Sequence, residues 1–159
     1  MDYMAQLEHL LLIAGASILA GFFGLERESA DKPAGFRTHM IIGGAAALLT
    51  ILAQVMVAHF AESGLSDAIR VDPIRVIEAI VVGISFIGAG TILKMRGEVH
   101  FLTTAASILF TAGIGIAFAL HQFVTAVGAT LLIVIVTRFL GMLEVRFKNR
   151  HTDSGSREG

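Results

Sequence analysis

Long apolar stretches alternate along this chain with short polar segments that hold nearly all of its charged residues. A helix needs about 20 residues, and at least roughly 17, to cross the hydrocarbon core of a bilayer. Four stretches meet this length, and they predict membrane-spanning helices over residues 9–25, 40–60, 103–120 and 123–143.

A further span is predicted between the second and third of these stretches, although its apolar part is short. Only residues 79–93 are free of charge, and a helix of that length, at about 1.5 Å per residue, falls short of the hydrocarbon thickness. Asp72 followed by Pro73 is a good pair for the N-cap and first position of a helix. The span is therefore predicted over residues 73–94, with Arg75 and Glu78 near the interface.

The two-residue link His121-Gln122 leaves open whether the last two stretches are separate spans or one kinked or re-entrant element. Charge placement favours separate spans, because basic residues concentrate on the cytoplasmic side of membrane proteins. Five spans with the N-terminus outside and the C-terminus in the cytoplasm leave only Arg70 and Arg75 in the outer segments. Nine basic residues then lie inside: Arg27, Lys32, Arg37, Lys94, Arg96, Arg146, Lys148, Arg150 and Arg157.

Composition agrees with an all-α, multi-pass transmembrane helical bundle. Of the 159 residues, 55% are hydrophobic and only 16% are charged, and the mean hydropathy is +0.76. We predict one transmembrane domain over residues 1–143, followed by a basic juxtamembrane segment and disordered cytoplasmic tail over residues 144–159. The lack of cysteine excludes disulfides and thiolate metal sites.

Small residues recur at spacings that suit close packing of membrane helices, where lipid supplies no hydrophobic drive for association. Span one has Ala16, Ala20 and Gly24 at a spacing of four. An alternative for the glycines of span three is an unwound segment that offers backbone carbonyls to an ion. The residues predicted to pack helices are Gly24, Gly83, Gly88, Gly90, Ser107, Thr111 and Gly115.

The first inner segment, residues 24–39, holds more ionisable residues than any other stretch before the tail. A solvated loop is one reading. The other is a turn at Pro33-Ala34-Gly35 that brings the charged ends of spans one and two together. Glu26 would then pair with Arg27 or Arg37 at the lipid boundary, where a lone charge is costly. Thr38 is predicted to be the N-cap of span two.

Sequence signals for catalysis and cofactor binding are lacking. The chain has no glycine-rich phosphate loop, nucleophile elbow or metalloprotease helix motif. Its six histidines lie near segment ends without any pairwise i, i+4 spacing, so no transition-metal site is implied. We expect neither an enzyme, nor a cofactor, nor a nucleic-acid partner.

The segments at 24–28, 32–39, 72–75, 83–92 and 102–107 together resemble the N-terminal membrane domain of the MgtC/SapB family, over most of the chain. They begin with Gly-Leu-Glu-Arg-Glu and Lys-Pro-Ala-Gly-Phe-Arg-Thr-His, and their order and spacing make chance similarity improbable. The candidate functional residues in these segments are Glu26, Arg27, Lys32, Pro33, Gly35, Arg37, Thr38, His39, Asp72, Arg75, Thr103 and Thr104.

The resemblance implies a bacterial inner-membrane protein linked to adaptation to low magnesium, to survival of pathogens inside host cells and, in some members, to restraint of the ATP synthase. It does not imply a demonstrated magnesium transporter. Better-known members append a soluble C-terminal domain that this sequence lacks. Phe101 stands where the family usually has glycine before Leu-Thr-Thr, and Glu78-Ala79 replaces a pair that is usually uncharged.

Two hypotheses of function follow. The first is a non-catalytic regulator that binds another membrane protein, such as the ATP synthase. The alternative is a transporter or channel for an ion (Mg²⁺ or H⁺) or a small solute. By the predicted topology Glu26 and Asp72 lie roughly a bilayer apart and cannot share one site. A homo-oligomer, which we expect, would supply further ligands by symmetry.

Overall fold

The computed structural model describes residues 3–62, 72–95 and 97–155. In this part of the chain five helices and one short hairpin follow one another. Arg70, one of the two basic residues predicted in the outer segments, lies outside the described residues. The elements are α1 (Tyr3–Ser29), α2 (Phe36–Glu62), α3 (Pro73–Gly90), β1 (Leu93–Met95), β2 (Glu98–His100), α4 (Leu102–Ala119) and α5 (Phe123–Gly155).

These helices confirm the predicted multi-pass all-α bundle. Within the described residues, three helices are long and apolar enough to cross a membrane, namely α1, α2 and α4. The apolar part of α5 is shorter, Phe123–Phe139, and α3 has 18 residues. The assignment of the termini to the two sides of the membrane stays a prediction.

The start of α3 is the one predicted, but its end is not. The Asp72 side chain accepts a hydrogen bond from the Ile74 backbone N–H at 3.0 Å, which makes Asp72 the N-cap. The helix ends at Gly90 instead of residue 94. Leu93–Met95 pairs with Glu98–His100 as an antiparallel hairpin, and the backbone of Gly97 has a φ of 91°. The predicted end was wrong because this tight hairpin competes with the helix for its last residues.

The links after α1 and α4 have the same local geometry. Asp31 and His121 have φ values of 52° and 59°. The N–H of Lys32 donates to the carbonyl of Arg27 at 3.1 Å, and that of Gln122 to the carbonyl of Ala117 at 2.9 Å. This is the Schellman arrangement, which ends a helix sharply. His121-Gln122 therefore joins two separate helices, α4 and α5, and the crossing of the membrane by both of them stays a prediction.

Helix α5 continues to Gly155, past the predicted end of span five at residue 143. That boundary marks the end of the apolar stretch. Four of the seven residues 144–150 are Glu, Arg or Lys, which are good helix formers, so the backbone stays helical where the apolar pattern stops. The predicted basic juxtamembrane segment is thus part of α5, which ends at Gly155. The disorder of the tail stays a prediction, and residues 156–159 lie outside the described chain.

Small residues bring α1, α2 and α4 together at the centre of the bundle. Ala16 and Ala20 of α1 and Ala46 and Ala47 of α2 are fully buried. A Cβ added to Gly115 of α4 would overlap the carbonyl oxygen of Gly43 in α2. The two backbones therefore touch at a point where only glycine fits.

Of the three glycines of α3 that are predicted to pack helices, only Gly88 lies against a neighbouring helix within the described residues. Ile80 and Ile84 join the core, and a Cβ on Gly88 would lie 3.1 Å from the Ala105 carbonyl oxygen. Gly83 and Gly90 would have nothing within 4 Å of an added Cβ. Their predicted role in packing does not hold within the chain, because they lie off the face that α3 turns towards its neighbours.

Phe101 precedes α4 with a φ of 67°, in the left-handed region that favours glycine. This geometry explains why glycine suits the position. We expect Phe101→Gly to stabilise the protein by about 1 kcal/mol, because a left-handed residue with a Cβ costs about 1–2 kcal/mol and the half-buried ring offsets part of that. Thermal unfolding in detergent, followed by circular dichroism, measures the change. Phe101→Ala keeps the strain and loses the ring, so a gain of equal size in that variant would contradict the explanation.

Candidate functional site

Polar side chains collect at one end of the bundle, which we call the polar end. It is formed by the last turns of α1, the first turns of α2 and α4, and the part of α5 around Thr137. The buried residues there include Glu26, Arg27, His39, Thr104 and Ser107. Five polar residues buried together in a chain this apolar mark the polar end as the candidate site.

At the centre of the polar end is an ion pair between neighbouring residues. The Nε of Arg27 donates to Glu26 Oε2 at 2.6 Å, and Nη2 donates to Oε1 at 2.9 Å. Both side chains are almost fully buried, at 4% and 7% exposure. The paired bonds match the fork of the guanidinium to the carboxylate, which is the strongest geometry for such a pair. Of the two predicted partners of Glu26, the structure selects Arg27, and Arg37 is exposed.

Helix α5 adds two further groups to this carboxylate. The hydroxyl of Thr137 donates to Glu26 Oε2 at 3.1 Å, and the Arg138 Nε lies 4.0 Å from Oε1. Glu26 thus joins the end of α1 to α5 through side chains that are 111 residues apart in sequence. Two guanidinium groups stand against one carboxylate, so this corner of the polar end carries a surplus positive charge.

His39 is fully buried and links α2 to α4. Its Nδ1 lies 2.8 Å from the carbonyl oxygen of Gly35, and its Nε2 lies 3.3 Å from Ser107 Oγ. A carbonyl oxygen only accepts, so Nδ1 carries a proton and a neutral ring leaves Nε2 as an acceptor. The hydroxyl of Ser107, 2.8 Å from the Thr104 carbonyl oxygen, then has two acceptors within reach.

An aromatic ring connects the two halves of this network. The ring of Phe23 is fully buried. It meets His39 edge-on at 5.0 Å between centroids, and the Arg27 guanidinium carbon lies 5.6 Å from its centroid. A cation held over an aromatic face in this way is stabilised by the ring's quadrupole.

The turn between α1 and α2 brings the two charged ends together, as the sequence predicts, but the cap is different. Glu28 Oε2 accepts a hydrogen bond from the Phe36 backbone N–H at 2.8 Å. Helix α2 begins at Phe36, so Thr38 lies inside its first turn and the predicted N-cap at Thr38 is wrong. A carboxylate reaching across from α1 stabilises this helix start instead. A Cβ added to Gly35 would lie 2.8 Å from the same oxygen.

The remaining candidates are placed away from the buried network. Lys32, Pro33, Arg37 and Thr103 are exposed, and Thr38 is half-buried. Their side chains take no part in the hydrogen bonds that join Glu26, Arg27, Thr137, His39 and Ser107.

Asp72 and Arg75 lie at the far end of α3. The Arg75 Nε is 4.0 Å from Asp72 Oδ2, and both side chains are largely exposed. The end of α3 joins α4 through the short hairpin at the polar end. Asp72 lies 18 residues back along that helix, so it is separated from the polar end by about 27 Å at 1.5 Å per residue. As predicted, Asp72 and Glu26 do not share a site.

Thr137, Arg138 and Phe23 were missed as site residues by sequence reasoning. The Arg138 side chain is 61% exposed. The available signal was the Thr-Arg pair near the end of an otherwise apolar stretch. Phe23 gave no signal, because one more aromatic residue in a span is ordinary.

Chemically, the polar end is a closed hydrogen-bond network. Within the described residues, every buried side-chain nitrogen and oxygen has a hydrogen-bond partner. The same residues hold no group of three or more His, Cys, Asp or Glu side chains placed to bind a metal ion. The network therefore links α1, α2, α4 and α5, and breaking the buried pair of Glu26 and Arg27 would leave a buried charge without its bidentate partner.

Comparison with known proteins gives consistent matches. The family model described as the MgtC family matches residues 12–146. A Haemophilus influenzae protein is 37% identical over 141 residues, which cover 86% of this chain and 58% of its own length. YhiD of Escherichia coli K12, whose name marks it as a candidate magnesium transporter, is 33% identical over 144 residues, 91% of this chain and 66% of its own.

Protein SapB of Bacillus subtilis is 36% identical over 132 residues, which cover 82% of this chain and 56% of its own length. The chain thus spans less than two thirds of the length of these relatives. No solved structure gives a significant match.

Proposed function

Because the chain belongs to the MgtC family, we propose that it is a non-catalytic membrane regulator linked to adaptation to low magnesium or to stress. It acts in the inner membrane of a bacterium, as a homo-oligomer, by binding another membrane protein. The ATP synthase is the candidate partner that the family resemblance implies.

The closed polar end is the observation that carries this proposal. Both oxygens of Glu26 are engaged by Arg27, and one of them also by Thr137. A carboxylate that conducts ions must exchange its partners for the ion and its water. The Arg27 guanidinium engages both carboxylate oxygens of Glu26. The geometry of Glu26 therefore suits a structural role better than a transport site.

The outer surface of the bundle supports binding to another membrane protein. Large apolar side chains point outwards on several helices, and Phe86 of α3 is 82% exposed. Beside it, Gly83 and Gly90 leave open space along the same helix. Membrane helices associate through such combinations of small and bulky apolar residues.

Transport of Mg²⁺ is the second candidate, and the name of YhiD favours it. Mg²⁺ requires an octahedral set of oxygen ligands and gives up its water reluctantly, so a pathway needs carboxylates that are free to bind. Glu26 at the polar end and Asp72 at the far end of α3 are the candidate carboxylates for the two ends of such a pathway. Only a homo-oligomer would add ligands beside either of them.

Flux measurement in liposomes distinguishes the two candidates. We expect liposomes with the purified chain to show the same Mg²⁺ and proton flux as protein-free liposomes, and no change in Glu26→Gln. Glu78→Gln, which alters an exposed carboxylate of α3, is the matched control. Flux above background that Glu26→Gln abolishes and Glu78→Gln retains would overturn the regulator proposal and establish transport.

Photo-crosslinking in native membranes tests the contact itself. A diazirine analogue of phenylalanine replaces Phe86, which is exposed, or Phe23, which is fully buried. We expect the first to crosslink a discrete membrane complex that mass spectrometry identifies, and the second to crosslink only within the chain. ATP-driven proton pumping in inverted vesicles should fall when the chain is present. Crosslinks from Phe86 to lipid and copies of the chain alone, with pumping unchanged, would contradict the proposal.

A further inference from the structure

A groove runs along the outside of the bundle between α1 and α5, with a volume of about 440 Å³. Its walls are apolar and include Phe22 and Leu25 of α1 and Leu131 and Val134 of α5. Three of these four side chains are at least half exposed, at 63%, 50% and 59% for Phe22, Leu25 and Leu131. The groove is therefore open to the surroundings of the bundle.

Three of the residues that line the groove, Glu26, Ser29 and Arg138, are polar and lie together at one of its ends. Glu26 is neutralised by the bidentate Arg27 guanidinium. Arg138, with its Nε 4.0 Å from the same carboxylate and its side chain 61% exposed, is the surplus cation. The Ser29 hydroxyl donates to the Glu26 carbonyl oxygen at 2.8 Å. Among the described side chains, Arg27 and Arg138 share the single carboxylate of Glu26, so this end of the groove has a net positive charge.

The length of the groove matches one leaflet of a bilayer. From Arg138 back to Val127, α5 covers 11 residues, about 16 Å at 1.5 Å per residue. The hydrocarbon core of a bilayer is about 30 Å thick, so one leaflet contributes about 15 Å. An apolar channel of this length that ends at a cation has the shape and polarity of an acyl chain joined to an anionic headgroup.

We propose that this groove binds one anionic phospholipid. An acyl chain lies between α1 and α5, and the phosphate pairs with the Arg138 guanidinium. Basic pockets between membrane helices are recognised sites for anionic headgroups, because they combine a fixed cation with an apolar wall. An apolar helix of a second copy or of a peptide would fill the apolar part but would not balance the net positive charge beside Arg138. This inference does not depend on the proposed regulatory function.

Native mass spectrometry of the full chain in detergent tests the site. The probes are phosphatidylglycerol and phosphatidylcholine with the same acyl chains. We expect the wild type to retain phosphatidylglycerol preferentially, and Arg138→Gln to reduce that retention about fivefold, the effect of one cation near an anionic lipid. Lys94→Gln removes an exposed cation of β1, and should leave retention unchanged.

A second variant tests the apolar wall without disturbing the core. Leu131→Trp fills the groove at a position that is 59% exposed, and should reduce retention of both lipids. Equal retention of the two lipids by the wild type, or equal losses in Arg138→Gln and Lys94→Gln, would overturn the site. A dimer that Leu131→Trp dissociates would also overturn it, because a second copy would then be the occupant.

Discussion

Removing the charge of Arg27 is expected to destabilise the folded chain by about 3–5 kcal/mol, the usual cost of breaking a buried ion pair. In Arg27→Met the carboxylate of Glu26 stays at 7% exposure without its bidentate partner. Thr137 offers one hydrogen bond, and the Arg138 Nε lies at 4.0 Å, so the loss should fall towards the lower bound. Titration with a denaturing detergent, followed by helical circular dichroism, measures it.

A double variant separates loss of the charge from loss of packing. Glu26→Gln with Arg27→Met removes both charges and keeps an oxygen for Thr137. It should be more stable than Arg27→Met alone, because a buried pair replaced as a whole costs little. Arg75→Met breaks a pair whose Arg side chain is 83% exposed, and should cost no more than about 1 kcal/mol. If the double variant is less stable than Arg27→Met, the ion pair with Glu26 is not the way in which Arg27 stabilises the fold.

The positions of the helices could be predicted because lipid imposes simple rules on the sequence. Apolar stretches had to form helices, and α1, α2 and α4 do so. Asp72 and Pro73 identified the start of α3, because capping is a local interaction. The ends of α3 and α5 were missed, since they depend on the hairpin that follows α3 and on helix propensity beyond the apolar stretch.

The residues of the site could be predicted in part, and for Glu26 the sequence left two partners open, Arg27 and Arg37. The loop between α1 and α2 drew attention through its charges. Yet adjacent residues on a helix do not normally face each other, so sequence rules do not favour a pair between Glu26 and Arg27. The pair forms because both side chains bend into the space that Phe23 and α5 enclose.

Contacts distant in sequence were beyond prediction for a related reason. His39 meets Ser107 across 68 residues, and this contact exists only because α2 and α4 approach closely. The approach depends on Gly43 and Gly115 together. Gly115 was among the residues predicted to pack helices, but the sequence gave no sign of which glycine in another helix faces it.

Gly115→Ala is expected to destabilise the protein by about 2–3 kcal/mol, since overpacking of a core that cannot relax costs about 1–3 kcal/mol. The added Cβ would overlap the Gly43 carbonyl oxygen and lie 3.0 Å from its carbonyl carbon. Both are backbone atoms, so α2 and α4 must move apart. That movement should also weaken the contact between His39 and Ser107.

Gly83→Ala is the matched control, since it adds the same methyl group to another helix in open space. Helix propensity alone favours alanine over glycine by about 1 kcal/mol, so this variant should be as stable as the wild type or more so. Helical circular dichroism during titration with a denaturing detergent gives the free energy of unfolding of both variants under the same condition. A loss of stability in Gly115→Ala together with a gain in Gly83→Ala would establish that the close approach of α2 and α4 holds the bundle together. Equal stability of Gly115→Ala and Gly83→Ala would show instead that α2 and α4 can separate without loss.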